Sequence, residues 1–523
     1  MRKNTLIFVL LFYTLSSFAQ PMSGNYTIGT GYFNTFNEAV NNLIANGVSG
    51  PTIFYILPGT YNENIIIPEI SGASAINTIT FTPKIPDSTT VTLISNNVFT
   101  VKFNGADYIR FLHFGIKTYS HNVFEFTNQS CNNIISNCIV EGDVTSSTST
   151  SSALIYSSSF NDTNNVFKNT HFIGGSYGFY YIGSTTHEAS TLIYNNIFDE
   201  QGEKSIYIEK QKNPIIANNI FYSNAGYYCI WIQESTEKFL IEKNNVLDGG
   251  IVAYSANSNS TTPNIISNNF VKSNYGSGII NHYCSNVFNV NNTVNIVDGP
   301  GYTAAFYCGY SNSNIYAYNN IFINSCNSGG LSILLRSSLI SNYNSLFSTS
   351  NYIDDINNST TYSFQDWINN SGNDINSINI YPSFFSNNDY HTSDNQLDGK
   401  GTPLQFVIDD IDGDVRNSTI PDIGADEFNT PNYTQTIINN IKHISPNPFD
   451  EKTNVYLFNS IEKSDNIYLL SVKGEKIEIE KRKLIGKKEF TIDKNELGLS
   501  SGFYIITFIN DNGKFYEKII IID

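Results

Sequence analysis

One asparagine-led stretch recurs along the chain and limits what it can fold into. It opens at Asn132, Asn164, Asn195, Asn218, Asn244, Asn268, Asn291 and Asn319, as in Asn195-Asn196-Ile197-Phe198. A looser copy is Asn344-Ser345-Leu346-Phe347. The eight clear copies lie 23 to 32 residues apart. A repeat of that length means a solenoid, a propeller or an array of units. Short apolar runs flank the copies, such as Leu192-Ile193-Tyr194 and Ile215-Ile216-Ala217. Alternation with period two means strands, and no amphipathic helix of useful length fits inside a unit. Asparagine is the non-glycine residue that best tolerates a left-handed bend. Asparagines stacked one above the next can bond through their amides in a ladder.

Strand, asparagine bend, strand and variable loop describe one coil of a parallel β-helix. The repeats resemble the right-handed pectin-lyase-like β-helix, over roughly residues 50–400. The expected fold is all-β, with a right-handed parallel β-helix spanning 20–428, an N-terminal helical cap at 33–47 and a small C-terminal β-sandwich.

Residues 1–19 read as a secretory signal peptide. Arg2 and Lys3 precede an apolar core at 6–15, and Ser17-Phe18-Ala19 supplies the small residues before a cut at Gln20. The apolar core is too short to span a bilayer, so no transmembrane segment is expected in the mature chain. In the cap, Thr35 and Glu38 form a capping box. Phe36, Ala39, Val40, Leu43 and Ile44 share one face, and Gly47 stands at the stop. Such a lid covers the open edge and apolar interior of a first coil. The run "ILPGTYNENIIIPEI" that follows resembles the start of pectin-lyase-like secreted proteins.

The length of 523 residues allows two or three domains. Charged residues make up only 14% and the net charge is −17, so a nucleic-acid partner is not expected. Residues 145–152 are all Ser or Thr and read as a loop. Six cysteines, at 131, 138, 229, 284, 308 and 326, have no metal-ligand spacing. An exported chain permits disulfides; small buried residues are the alternative.

Residues 381–428 are expected to close the solenoid. They contain Asp409-Asp410-Ile411-Asp412-Gly413-Asp414-Val415-Arg416 and Pro421-Asp422-Ile423-Gly424-Ala425-Asp426-Glu427, and resemble the end of many secreted β-helix proteins. Asp410, Asp412 and Asp414 offer oxygen ligands to Ca²⁺ around a glycine turn, although the full calcium-loop pattern with its closing Glu is missing. The alternative is a capping turn in which Arg416 pairs with a carboxylate. No other cofactor is implied.

After a polar linker at 429–443 the composition becomes rich in Lys and Glu, with short alternating strands. Ser445-Pro446-Asn447-Pro448-Phe449, Leu469-Leu470-Ser471-Val472-Lys473-Gly474 and Gly502-Phe503-Tyr504 resemble the C-terminal sorting domain of the type IX secretion system. Ser471 departs from the Asp that family often carries. The resemblance makes Pro446, Asn447, Pro448, Phe449, Gly474, Gly502 and Tyr504 sorting-motif residues. It implies the secretion machinery as partner, transit through the periplasm and display at the outer cell surface.

Aligning strands coil by coil gives two outward rows. One reads Tyr180, Tyr207, Trp231, Val252, Ile280, Tyr307, Leu334; the other reads Ile182, Glu209, Gln233, Tyr254, His282, Gly309, Arg336. Aromatic faces beside polar groups suit sugar rings. Tyr180, Tyr207, Trp231, Tyr307, Glu209, Gln233, His282 and Arg336 are therefore candidate glycan contacts, against the alternative that they only stack for stability. The function expected is carbohydrate binding or adhesion. The chain as polysaccharide lyase or glycosidase comes second. Against it, Glu209 and His282 sit about 14 Å apart at β spacing, too far to share one bond, and no motif in the coils carries chemistry by itself. A structural stalk is third.

Deleting residues 444–523 is expected to leave the protein in the periplasm of its native host. Surface yield of the truncated form equal to that of the full chain would refute the sorting assignment.

Overall fold

The computed structural model describes residues 20–521 apart from 30, 145–147, 186, 223–225, 301–302, 327–329, 351, 356–359, 429–440, 446, 448, 458, 472–475 and 511–512. The proposed signal peptide thus lies outside the described residues, as do Pro446, Pro448, Gly474, part of the Ser/Thr loop and most of the linker.

Three long sheets run the length of a parallel β-helix: sheet 1 with 13 strands, sheet 2 with 12 and sheet 3 with 13. A typical coil passes from sheet 1 (Leu192–Tyr194) to sheet 2 (Ile197–Asp199) and then to sheet 3 (Lys204–Glu209). Each strand pairs in parallel with its counterpart one coil away, as Phe179 does with Ile206 and Ile206 with Ile230. Alternation sends every second side chain inward. Phe54, Phe81 and Phe111 stack inside sheet 1, with Phe54–Phe81 centroids 4.9 Å apart. Phe172, Phe198 and Phe221 do the same inside sheet 2 at 5.0 and 4.9 Å.

From the strand Ile109–Leu112 onward, the corner between sheets 1 and 2 is two residues long in every coil. Its first residue is left-handed in ten successive coils: His113, Asn137, Asn169, Asn195, Asn218, Lys243, Asn268, Asn291, Asn319 and Tyr343, with φ from 49° to 64°. Its second residue builds the ladder. Asn196, Asn219, Asn244, Asn269, Asn292, Asn320 and Asn344 are all buried. Each Oδ1 from Asn219 onward accepts both the backbone N–H and the Nδ2 of the asparagine one coil earlier, at 2.8–3.2 Å. Nδ2 also donates to a strand carbonyl, such as Ile193 O at 3.0 Å for Asn219. Every polar atom of these buried amides is thus matched.

The eight copies read from the sequence are not one series. Asn132-Asn133 and Asn164-Asn165 precede strands of sheet 1 (Ile134–Ser136 and Val166–Lys168), so they occupy the corner between sheets 3 and 1. There Asn133 N–H donates to Asn165 Oδ1 at 3.0 Å. The copy at Asn244 is displaced by one residue: Lys243 takes the left-handed place and Asn245 already belongs to a strand.

Helix α1 (Phe36–Asn46) closes the first coil. Thr35 Oγ1 accepts the Glu38 N–H at 3.1 Å, while the Glu38 carboxylate takes the N–H of Asn34 rather than that of Thr35. Glu63 adds a second cap, receiving the N–H groups of Phe36 and Asn37 at 3.0 and 2.9 Å, where the helix dipole favours an anion. Phe36, Ala39, Val40 and Leu43 are buried; Ile44, expected beside them, is 49% exposed. A strand ahead of the helix, Met22–Ile28, joins sheet 1 against Val48–Ile56.

The far end is closed differently from expectation. The antiparallel pair Tyr352–Asp355 and Thr360–Ser363 ends sheet 3, and helix α2 (Phe364–Ser371) buries Trp367, whose Nε1 donates to Asp374 Oδ2 at 2.8 Å. Residues 381–428 do not cover this end. They run back along the flank, over the asparagine corner and sheet 2. The left-handed asparagines hold them there: Nδ2 of Asn268, Asn291 and Asn319 donate to the carbonyls of Asp409, Gly424 and Thr402. The sequence reading missed this because it assigned the asparagines to a bend and a ladder and gave the first of each pair no partner outside the coils.

The tail is a separate antiparallel structure with a three-stranded and a four-stranded sheet around one apolar core. Asn447 donates to Lys518 O at 2.7 Å and accepts from Ile520 N at 2.8 Å. Phe449 is buried, Gly502 has φ of 143°, and the Tyr504 hydroxyl bonds to both backbone groups of Ser500.

The two places of an asparagine pair should respond oppositely to glycine. Asn218→Gly keeps a residue at ease with positive φ and is expected to change stability by less than about 1 kcal/mol. Asn219→Gly removes the amide and strands the donors of Asn196, for a loss of about 2 kcal/mol or more. Urea unfolding of both variants checks this; equal losses would show that the ladder contributes nothing.

Candidate functional site

The outer face of sheet 3 is the most aromatic surface of the β-helix, and strand pairing explains why it is continuous. Tyr156, Tyr180, Tyr207, Trp231, Val252, Ile280, Tyr307 and Leu334 are paired coil to coil. Beside them Ile182, Glu209, Gln233, Tyr254 and His282 form a second paired row. Between these rows lie inward residues such as Ile208, Ile232 and Ala253, all fully buried. Tyr180, Tyr207, Trp231 and Tyr307 are half-buried, whereas Val252, Ile280 and Leu334 in the same row are buried.

The rings do not lie flat on the sheet. Tyr156 and Tyr180 are parallel at 5.8 Å, and Tyr180 and Tyr207 at 5.3 Å. Trp231 stacks on Tyr254 at 6.0 Å, and Lys204 Nζ lies 5.4 Å from the indole centroid. Tyr180 thus has a ring stacked on each face, and Tyr156, Tyr207 and Trp231 each have one. Some of the aromatic faces expected for sugar rings are taken by neighbouring rings, and beside them runs a rail of hydroxyl, amide and carboxylate groups. Tyr207 OH donates to Glu209 Oε2 at 2.7 Å, Trp231 Nε1 to Gln233 Oε1 at 3.2 Å, and Gln233 Nε2 to Glu209 Oε2 at 3.4 Å. Lys210 Nζ sits 2.9 Å from Glu209 Oε1. Burial, and then the bond to Glu209, push the Tyr207 hydroxyl above its usual range.

Further along, the polar character changes sign. The His282 ring meets Tyr307 edge-on at 4.8 Å and stacks against Tyr310 at 6.1 Å. The Arg336 guanidinium lies over Tyr310 at 4.7 Å. Gly309 makes room for the imidazole, since a Cβ there would collide with it. His282 Nδ1 and Arg336 Nε are enclosed and have no hydrogen-bond partner among the described residues. Burial, and then the charge of Arg336, hold the imidazole below its ordinary value. The structure thus brings His282, Tyr307 and Arg336 into one cluster and Glu209, Gln233, Tyr207 and Trp231 into another. Tyr156 and Tyr310 were missed in sequence. Tyr156 precedes the first strand used for alignment, and Tyr310 stands just beyond its strand, where periodicity gives no signal.

The acidic segment is arranged differently from a calcium loop. Asp410 Oδ1 accepts the N–H groups of Asp412, Gly413 and Asp414 at 2.8–2.9 Å, and its Oδ2 that of Glu427 at 2.9 Å. Asp414 is exposed, and Asp412, also exposed, bonds through Oδ2 to His391 Nε2 at 2.7 Å. Arg416 pairs with Glu427 at 3.2 Å, in keeping with the capping-turn alternative. The six cysteines are free, five of them buried. Among the described residues no helix is long and apolar enough to cross a membrane.

Residues 443–522 match the secretion system C-terminal sorting domain. With that tail the chain is exported through the type IX secretion system, to the cell surface or the extracellular space. No curated protein matches the sequence. Among solved structures, the A-module of a mannuronan C-5 epimerase from Azotobacter vinelandii is 11% identical, over 66% of this chain and 96% of that one, with a TM-score of 0.40. A mannuronic acid specific polysaccharide family 6 lyase from human gut microbiota is 13% identical, over 66% and 93%, with a TM-score of 0.39. The pectin methylesterase from Aspergillus niger is 12% identical, over 62% and 94%, at 0.28. Likeness at this level carries no argument about chemistry.

Because the folded chain holds His282 neutral, the unfolded chain takes up its proton first, at about pH 6.5. This contribution to stability is complete above that pH and is lost as pH falls through the window toward the lower folded value. An NMR titration of the His282 ring should give a midpoint below about 6.5. A higher midpoint would mean that an anion faces the ring.

Proposed function

We propose that this exported β-helix protein binds an extended polysaccharide along the outer face of sheet 3. The supporting observation is the rail itself: Tyr156, Tyr180, Tyr207 and Trp231 in adjacent coils, flanked by Glu209 and Gln233. Coils rise by about 4.8 Å, close to the length of one sugar unit, so successive sugars meet successive polar edges. The ring edges and amides supply hydrogen bonds to hydroxyls, and their stacking fixes them in place before the ligand arrives. Adhesion through such a glycan follows from the same contacts.

A second reading is a polysaccharide-modifying enzyme. It is favoured by His282 Nδ1 and Arg336 Nε, two enclosed polar atoms without partners beside the Tyr307 ring. A neutral imidazole can accept a proton, a tyrosine can return one, and a guanidinium can neutralise an anion on the substrate.

One experiment addresses both. A glycan array on the full exported chain is followed by calorimetry and by an assay for unsaturated or reducing-end products. Trp231→Ala removes the indole and its bond to Gln233. Its expected cost is about 1–3 kcal/mol of binding, roughly tenfold or more in affinity, with little change in melting temperature. A fully buried Trp would instead lose about 3–5 kcal/mol of stability. Large destabilisation with intact binding would refute the rail as a ligand surface. Product formation abolished by His282→Ala would establish the enzymatic reading instead.

A further inference from the structure

We propose that His391, Asp412 and Asp426 form a site for a divalent transition-metal ion such as Zn²⁺ or Mn²⁺. One ligand atom from each of the three side chains lies within 4.8 Å of the others. They come from three separate parts of the flank segment: the strand Asp389–Thr392, the turn that follows Asp410, and the run ending at Glu427. A site assembled from distant parts of a segment is not the by-product of a single acidic turn.

The imidazole decides which ion fits. Hard Ca²⁺ takes six to eight oxygens, whereas a neutral imidazole with two carboxylates suits Zn²⁺ and its neighbours, with water completing the shell. The imidazole is also oriented as such a ligand requires. Asp389 bonds to Nδ1, leaving Nε2 toward Asp412 Oδ2 at 2.7 Å. A carboxylate behind a ligating histidine fixes its tautomer and its aim. Phe270 presses edge-on against the ring at 4.9 Å, so the imidazole is also held from the solenoid side.

Charge points the same way. Three carboxylates, those of Asp389, Asp412 and Asp426, converge on one imidazole. The cations nearest along the flank serve other groups. Arg416 holds Glu427, Asn268 and Gly424 O, Lys243 holds Asp409 at 2.7 Å, and Lys272 donates to Asn388 at 2.9 Å. Asp410 braces the two acidic arms without spending a ligand atom, since both its oxygens accept backbone N–H groups on either side of the site. The ion would tie three parts of the flank segment to one another beside the Asn268 corner.

The test uses the full exported chain, stripped with chelator and titrated by calorimetry with Zn²⁺, Mn²⁺ or Ca²⁺ alone, with the melting temperature followed in parallel. One equivalent of Zn²⁺ or Mn²⁺ is expected to bind and raise the melting temperature. Asp412→Asn with Asp426→Asn should abolish that binding. Asp389→Asn leaves the ligand atoms in place and should weaken it about tenfold to a hundredfold. Circular dichroism confirms that each variant is folded; if the double variant is not, the single Asp389→Asn variant and the wild-type stoichiometry decide. Absence of a one-to-one transition-metal complex, a response to Ca²⁺ alone, or Zn²⁺ binding that survives in a folded double variant would each overturn the proposal.

Discussion

The structure rests on a hydrogen bond between two asparagines one coil apart. A parallel β-helix must turn its chain sharply three times per coil, and a sharp turn leaves backbone donors without strand partners. At the corner between sheets 1 and 2 the buried amide solves this. Its oxygen takes the orphaned N–H and the amide N–H of the coil before, and its own nitrogen repairs a carbonyl. Because each corner is completed by its neighbour, no single coil is stable alone and the stack forms a cooperative column. The two-residue length of this corner also keeps all three sheets in register. Without that register the residues on sheet 3 would not face the same way over successive coils.

Much of this was legible in the residues. Period-two alternation, the recurrence of Asn-Asn and the capped helix at Thr35 all report backbone geometry directly, and such signals survive without an alignment. The pairing of Tyr180, Tyr207 and Trp231 was legible for the same reason: register follows from the inward apolar residues. What failed was the assignment of single asparagines. Asn165 and Asn196 look alike in sequence but sit at different corners, because both corners need a left-handed residue followed by a buried amide. Asn268, Asn291 and Asn319 read only as bend residues yet hold the flank segment, a contact more than 80 residues away in sequence. The stacking of tyrosines on one another was equally hidden, since periodicity gives the face of a sheet and not the tilt of a ring.

The candidate face combines two kinds of environment on one rigid support. Toward Glu209 the polar atoms are paired among themselves, so the surface is already satisfied. Toward His282 two enclosed polar atoms lack partners, and an unpaired buried group costs free energy until something meets it. The flank segment lies over sheet 2, so it leaves sheet 3 open.

The arrangement of the ladder has a mechanical meaning. Ladder bonds and strand bonds all point along the solenoid axis, so a pull along that axis loads the coil interfaces one after another, like links in a chain. The column is then only as strong as its weakest junction. Under flow or traction an exported chain of this design would give way at one junction between coils, while the coils on either side kept their shape.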